Sequence, residues 1–154
     1  MNFKLIKNEK LDMSFLKDTL SSKEEMVLVN PSANFPFQEE YWLNFYKLQN
    51  RKSVSLHYLH NDKIIAHAAL QENEGIVHLC FVVVAKEYRG KGITGKFLKE
   101  VEDYLIKTFK VNEYFLNVRK ENISAIKCYE KFGFLKWEDR GSSIKMVKNL
   151  KNTR

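Results

Sequence analysis

A chain of 154 residues, 44% hydrophobic and 13% aromatic, is long enough for one domain with a full core and too apolar for disorder. Its 26 basic residues outnumber 19 acidic ones for a formal net charge of +7, which favours anionic ligands, yet the surplus is scattered with no arginine-rich run, so no nucleic-acid partner is expected. No stretch approaches the roughly 20 apolar residues of a membrane span, the opening "MNFKLIKNEK" has no apolar signal region, and Cys80 and Cys128 have no metal or disulfide spacing; the expectation is a cytoplasmic protein with no metal and no membrane partner.

In chain order, "NFKLIK" alternates as a strand, and "LDMSFLKDTL" sets Leu11, Phe15, Leu16 and Leu20 on one helical face. "MVLVN" then reads as a short extended segment, and Pro31 and Pro36 bracket a loop where a hinge would sit. "QEEYWLNFYKLQ" spaces Tyr41, Trp42, Phe45 and Tyr46 as a helix whose aromatics either pack on a sheet or line a pocket. "SVSLHYLHNDKIIAHAALQENEGIVHLCFVVVA" makes three strands joined by "HND" and "ENEG", an antiparallel meander. From Ile93 the period becomes 3.6, with Phe97, Leu98, Val101, Leu105 and Phe109 on one face. "EYFLNVR" is a strand, "NISAIKCYEKF" a helix capped by Asn122 and stopped by Gly133, and "FLKWED" and "SSIKMVKNL" the last strands, with "KNLKNTR" a basic tail. The order β-α-α-β-β-β-α-β-α-β-β is an α/β sandwich in a single domain, 1–154, with a mixed, mostly antiparallel sheet flanked by helices.

The stretch "FVVVAKEYRGKGITGKFL" satisfies three anion-binding patterns. Gly90, Gly92 and Gly95 spell G-x-G-x-x-G, Gly90, Gly95 and Lys96 spell most of a P-loop, and Arg89 with Gly92 opens R-x-x-G. All three aim backbone N–H groups from a helix start, where unpaired donors and the helix dipole attract an anion. A dinucleotide site is disfavoured, because Ala85 to Arg89 separate strand from glycine and the next strand ends in Arg119 and Lys120 where an acid belongs. The P-loop fails at Phe97, which stands where a hydroxyl must meet Mg²⁺.

The third pattern brings a second motif. "YRGKGITGKFL" followed by "LNVRKENISAIKCYEKFGF" resembles the signature of the GNAT superfamily of acyl-CoA N-acyltransferases: R/Q-x-x-G-x-G/A, then L-x-V-x-x-x-N-x-x-A-x-x-x-Y-x-x-x-G-F. Arg89, Gly92, Leu116, Val118, Asn122, Ala125, Tyr129, Gly133 and Phe134 match; Thr94 replaces the small residue. The resemblance covers about Lys63 to Leu150 and implies acetyl-CoA as co-substrate and a GNAT-type sheet, whose fourth strand bulges and splays from "EYFLNVR" to admit pantetheine. It implies that Val82, Val83 and Val84 line the pantetheine arm, with amides near Val83 and Val84 polarising the thioester carbonyl. The pyrophosphate would lie on Arg89, Gly90, Lys91, Gly92, Ile93, Thr94 and Gly95, with charge from Arg89, Lys91 and Lys96, and Asn122, Ala125 and Tyr129 would complete the wall. Tyr129 matches the tyrosine that protonates the departing thiolate.

The general base varies within the superfamily. His78 is the candidate, sharing a face with Cys80 and Val82 by the strand period of two, with an ordered water as the other possibility. The acceptor would be a primary amine, on a small molecule or a protein N-terminus, attacking directly in a ternary complex, with "NPSANFPFQEEYW" as its wall. A monomer or homodimer is expected. The alternative is a non-catalytic acyl-CoA-binding or sensor module, to which Thr94 would be suited by crowding the pyrophosphate. His57, His60 and His67 lie on neighbouring strands without a metal-binding spacing.

Overall fold

The apolar alternation of the central segment produces strands that a computed structural model, describing residues 2–150, gathers into one seven-stranded sheet. β1 (Phe3–Lys7), β2 (Lys52–His60), β3 (Lys63–Asn73) and β4 (Ile76–Val84) form an antiparallel meander. β5 (Glu113–Arg119) runs parallel to β4, and β7 (Ser143–Asn149) and β6 (Leu135–Asp139) complete the order β1-β2-β3-β4-β5-β7-β6. A parallel pairing needs a long crossover, and α4 (Ile93–Thr108) supplies it. The remaining helices are α1 (Ser14–Thr19), α2 (Lys23–Val29), α3 (Glu39–Asn44) and α5 (Ile123–Phe132).

Each face of the sheet has its own core. On one face Phe97, Leu98, Val101 and Leu105 of α4 and Phe109 beyond it pack on Leu56, Tyr58, Ala66, Leu70 and Leu116, as the helical period requires. Burial of each such large side chain contributes about 1.5–3 kcal/mol. On the other face α1, α2 and α3 bring Met13, Leu16, Leu20, Met26 and Trp42 against Val83 and Phe81. α5 begins at Asn122, whose side chain accepts from the amide of Ala125, and ends at Gly133 with φ 113°.

Four expectations change. "MVLVN" is not extended: its first four residues close α2, which starts where Ser22 Oγ accepts from the amide of Glu25 at 3.2 Å. The helix expected from Leu11 begins only at Ser14, because Leu11 has φ 52° and Asp12 accepts from the amide of Ser14. The third helix stops at Asn44 and tightens into a 3-10 turn, Phe45–Lys47. The "KNLKNTR" tail begins inside the fold: buried Lys148 pairs with buried Glu102 at 2.7 Å, while residues 151–154 lie outside the described residues.

Candidate active site

The site grows from an irregularity in β4. Ala69 faces Cys80 and His67 faces Val83, so Phe81 and Val82 together oppose Ala68 in a bulge. Phe81 takes φ 52°, a left-handed conformation that L side chains with bulk avoid. The bulge inverts the alternation. Val82 and Val84 join Val77 and Leu79 against the α4 core, whereas Phe81 and Val83 pack beneath α1–α3. His78 and Cys80 therefore do not share a face with Val82, which corrects the expectation from a strict period of two.

A buried polar chain holds this strained residue. The Phe81 carbonyl can only accept, so His67 Nδ1 carries the proton and donates to it at 2.9 Å. His67 Nε2 then accepts from Ser55 Oγ at 3.1 Å, and Ser55 Oγ accepts from Asn8 Nδ2 at 3.1 Å. Complete burial holds the His67 pKa down at about 4, so this network contains a neutral imidazole.

Beyond the bulge the strands part. β4 and β5 are paired at His78–Phe115 and Leu79–Leu116, and past that point lies a cavity of about 730 Å³. Val82, Val83 and Val84 form one wall, Arg89, Gly90, Gly92, Thr94 and Gly95 the loop end, and Asn122, Ala125 and Tyr129 the wall on α5. The structure thus brings most of the sequence-derived cofactor residues together. It does not bring Lys91, Ile93, Lys96 or His78 into the lining. Lys91 is exposed, Ile93 packs on the main core, and Lys96 Nζ sits 4.2 Å from the centre of the Phe3 ring.

The loop is shaped for close approach. Gly90 and Gly92 have φ 73° and 78°, Gly92 precedes the first turn of α4, and a Cβ on Gly90, Gly92 or Gly95 would meet nothing within 4 Å. An open surface of backbone at the start of a helix of 16 residues suits a phosphate. Arg89 Nε donates to the Val84 carbonyl at 2.7 Å and ties the loop to the end of β4.

Sequence reasoning missed a third wall. Leu20, Glu25, Leu28 and Val29 from α1 and α2 close the cavity, and Lys127 and Lys131 add two cations one turn apart on α5. The available signal for α2 was the Ser22-x-x-Glu25 capping box.

Tyr129 is buried at the cavity wall, 5.8 Å from the Phe134 ring, and its hydroxyl has no hydrogen-bond partner among the described residues. Burial first, then Cys128 and Cys80, raise its pKa well above the usual 10, so the phenol keeps its proton. His78 is half-buried at the first of the two paired positions, one residue before Leu79 where the pairing ends, its ring 5.8 Å from that of Phe115. Burial, then Lys145, Arg140 and Arg51, lower its pKa below 6.5. Burial pushes the Cys80 thiol up to about 12, which removes the thiolate that covalent catalysis requires. Near the bulge, Trp42 stacks on Phe37 at 5.2 Å and meets Phe81 edge-on at 5.0 Å, and Phe45 lies 4.8 Å from Phe81. Tyr41 is exposed, so three of the four aromatics expected on that helix face the sheet.

A bulged fourth strand, a splayed parallel neighbour and a glycine loop opening the crossover helix define an acyl-CoA-binding α/β fold. The model of the acetyltransferase (GNAT) family matches residues 22–134, and the chain belongs to that family. A spermine/spermidine N(1)-acetyltransferase of Bacillus subtilis is 35% identical over 60 residues, 39% of this chain and 40% of that protein. The match thus spans about two fifths of the curated relatives' length. A PaiA N-acetyltransferase from Thermoplasma acidophilum in complex with coenzyme A superposes with a TM-score of 0.76 at 20% identity, covering 97% of this chain and 99% of that one. A Vibrio cholerae spermidine N-acetyltransferase in complex with CoA and spermine gives 0.76 at 17% identity, over 96% and 95%. At these identities the likeness establishes the fold.

Proposed function

We propose that the chain transfers the acetyl group of acetyl-CoA to a primary amine, by direct attack in a ternary complex. The observation that carries this reading is the cavity between β4 and β5, lined by Val82–Val84 and Tyr129 and ending on the open glycine loop. Coenzyme A bound in structural neighbours and amine acceptors named for relatives support it. Bound acetyl-CoA supplies a thioester, whose carbonyl carbon accepts the amine.

In this reaction the glycine loop and the amides opening α4 hold the pyrophosphate, with Arg89, Lys127 and Lys131 adding charge at the rim. Backbone N–H groups around Val82–Val84 stabilise the negative charge that develops on the carbonyl oxygen. Neutral His78 takes the proton that the amine must lose, directly or through water. Tyr129 gives its proton to the sulfur as the C–S bond breaks, and the new C–N bond remains. On this reading the protein acts in the reducing cytoplasm, with which two free cysteines agree, as a monomer or homodimer.

Acetyl-CoA should raise the Tm, whereas ATP with Mg²⁺ or NAD should not. Gly92→Val, at φ 78°, should remove most of that shift. An amine panel followed by thiol release then reads turnover. Binding of acetyl-CoA with no acceptor acetylated would overturn catalysis in favour of a binding module.

A further inference from the structure

The sheet face on which His78 lies carries charge of one sign close to it. Strand register sets a row across this face: Gln71 opposite His78, His78 opposite Phe115, and Phe115 opposite Val147. Arg51, just ahead of β2, holds one end, its Nη1 donating to Gln71 Oε1 at 3.2 Å. Lys145 holds the other, its Nζ 4.6 Å from the centre of the Phe115 ring. Neither makes an ion pair among the described residues. Arg140 is a third cation, already answered by Glu138 at 3.2 Å. The charges that act on His78 are Lys145, Arg140 and Arg51, and no carboxylate is among them.

The carboxylate nearest in register is Glu138, opposite Lys145 but ion-paired with Arg140, and the other acidic groups on this side stand further off. Glu113 sits at the far end of β5 opposite Asn149, and Glu39 and Glu40 are exposed at the start of α3. A polycationic acceptor approaching His78 would meet two positive charges that no ion pair among the described residues offsets, and like charges repel. Edge strand β6 adds an apolar flank: Trp137, 60% exposed, lies 6.1 Å from Phe115, and Leu135 is 70% exposed.

We propose that the acceptor is an amine that also carries a carboxylate, with Arg51 and Lys145 binding the carboxylate so that the amine is delivered to His78. Arginine and lysine are suited to this: a planar fork at one end of the row and a point charge at the other grip an anion from two sides. The inference rests on the amine acetyltransferase reading above. It also separates this chain from relatives named for spermine or spermidine, which carry no acid group.

The test compares amines that differ only in the acid. Phenylalanine, its methyl ester and phenethylamine form one set, lysine and cadaverine a second, and spermidine stands alone. The ester controls for amine basicity, because it also lowers the amine pKa but bears no charge. With purified full-length protein at low salt, kcat/KM for the amino acids should exceed that for the ester, the decarboxylated amines and spermidine by about tenfold or more. The advantage should shrink at high salt, as exposed charges are screened. In Arg51→Gln combined with Lys145→Gln, the preference should fall to within about twofold of unity, chiefly through KM for the amino acid. An unchanged acetyl-CoA effect on Tm shows that this variant is folded. Preference for spermidine or phenethylamine in the wild type would overturn the inference while leaving the acetyltransferase reading intact, as would a preference that survives in the double variant. Acetyl-CoA binding with none of these amines, nor any in the wider panel, acetylated would instead overturn the acetyltransferase reading itself.

Discussion

Replacing His67 by Leu tests whether the bulge in β4 is held by a neutral imidazole. The substitution keeps a buried apolar shape but strips the partner from the Phe81 carbonyl and from the Ser55 hydroxyl, 2.9 and 3.1 Å away. Leaving one buried polar group unsatisfied costs about 1–3 kcal/mol, so with two such groups the variant should lose about 2–6 kcal/mol near neutral pH. Its pH dependence is more diagnostic. The folded-state pKa is about 4 against 6.5 for the free side chain, so between those values the unfolded chain binds a proton that the native state refuses. Wild-type stability should therefore fall as pH drops from about 6.5 towards 4, with about 2 kcal/mol of that loss complete between pH 7.5 and 5. His57 and His78 are shifted in the same direction and remain in the variant, so the difference between the two proteins isolates His67. Urea unfolding of both at pH 7.5 and 5 measures it. The expected result is a variant less stable at pH 7.5 with a slope flatter by about 2 kcal/mol. Equal slopes would mean that His67 is protonated in the fold or lies outside the network, and the account of the bulge would be wrong.

Tyr129→Phe should lower kcat by about 10²–10⁴-fold with little change in acetyl-CoA affinity, because only the hydroxyl is removed; kcat within twofold of wild type would make Tyr129 a packing residue only. His78→Ala should cost about 10²-fold in kcat/KM. Because the His78 pKa is lowered, its neutral form persists below pH 6.5, so with a single acceptor the acid limb that wild type shows and His78→Ala lacks should lie below that value, and identical acid limbs in the two proteins would exclude His78 as the base. Glu102→Leu strands Lys148, 2.7 Å away and buried, and should destabilise by about 3–5 kcal/mol in urea unfolding, whereas a loss under 1 kcal/mol would show that Lys148 escapes to solvent.

The sequence made the scaffold legible wherever periodicity and caps agreed. Asn122 and Gly133 delimit α5 as a capping residue and a left-handed stop should, and the α4 face from Phe97 to Phe109 is buried throughout. Four apolar residues, Met26 to Val29, are too few to separate strand from helix by pattern, so α2 was misread and with it the wall from Leu20 to Val29. The bulge was legible only through family resemblance, because an aromatic residue occupies the left-handed position and no glycine marks it. Its effect on facing is global for the strand: one extra residue moves Val82 to the opposite side from Cys80. The buried carboxylate of Glu102 is not legible from its charged neighbours on α4, since only its partners, Tyr114 and Lys148, reveal it and they are distant in sequence.

The bulge also decides how the proposed acid and base divide their work. By shifting the alternation of β4, it turns Val82 and Val84 towards the α4 side while His78 stays on the opposite face with the cations, so in the proposed reaction thioester and amine would reach the splay from different sides. Burial then separates the two titrations. It lowers the pKa of His78 and raises that of Tyr129, which leaves the first neutral and the second protonated at neutral pH. These are the states a base and an acid need before the reaction begins. The same shifts make His78 a weaker base and Tyr129 a weaker acid, which is tolerable because neither transfers its proton against an unassisted partner. The ammonium that forms on attack is far more acidic than the free ammonium ion, and a thiolate leaving inside the same buried cavity has its own basicity raised by loss of water. A carboxylate held by Arg51 and Lys145 would also offset the charge that lowers the His78 pKa, so binding of such an acceptor should itself raise the basicity of the group that deprotonates it.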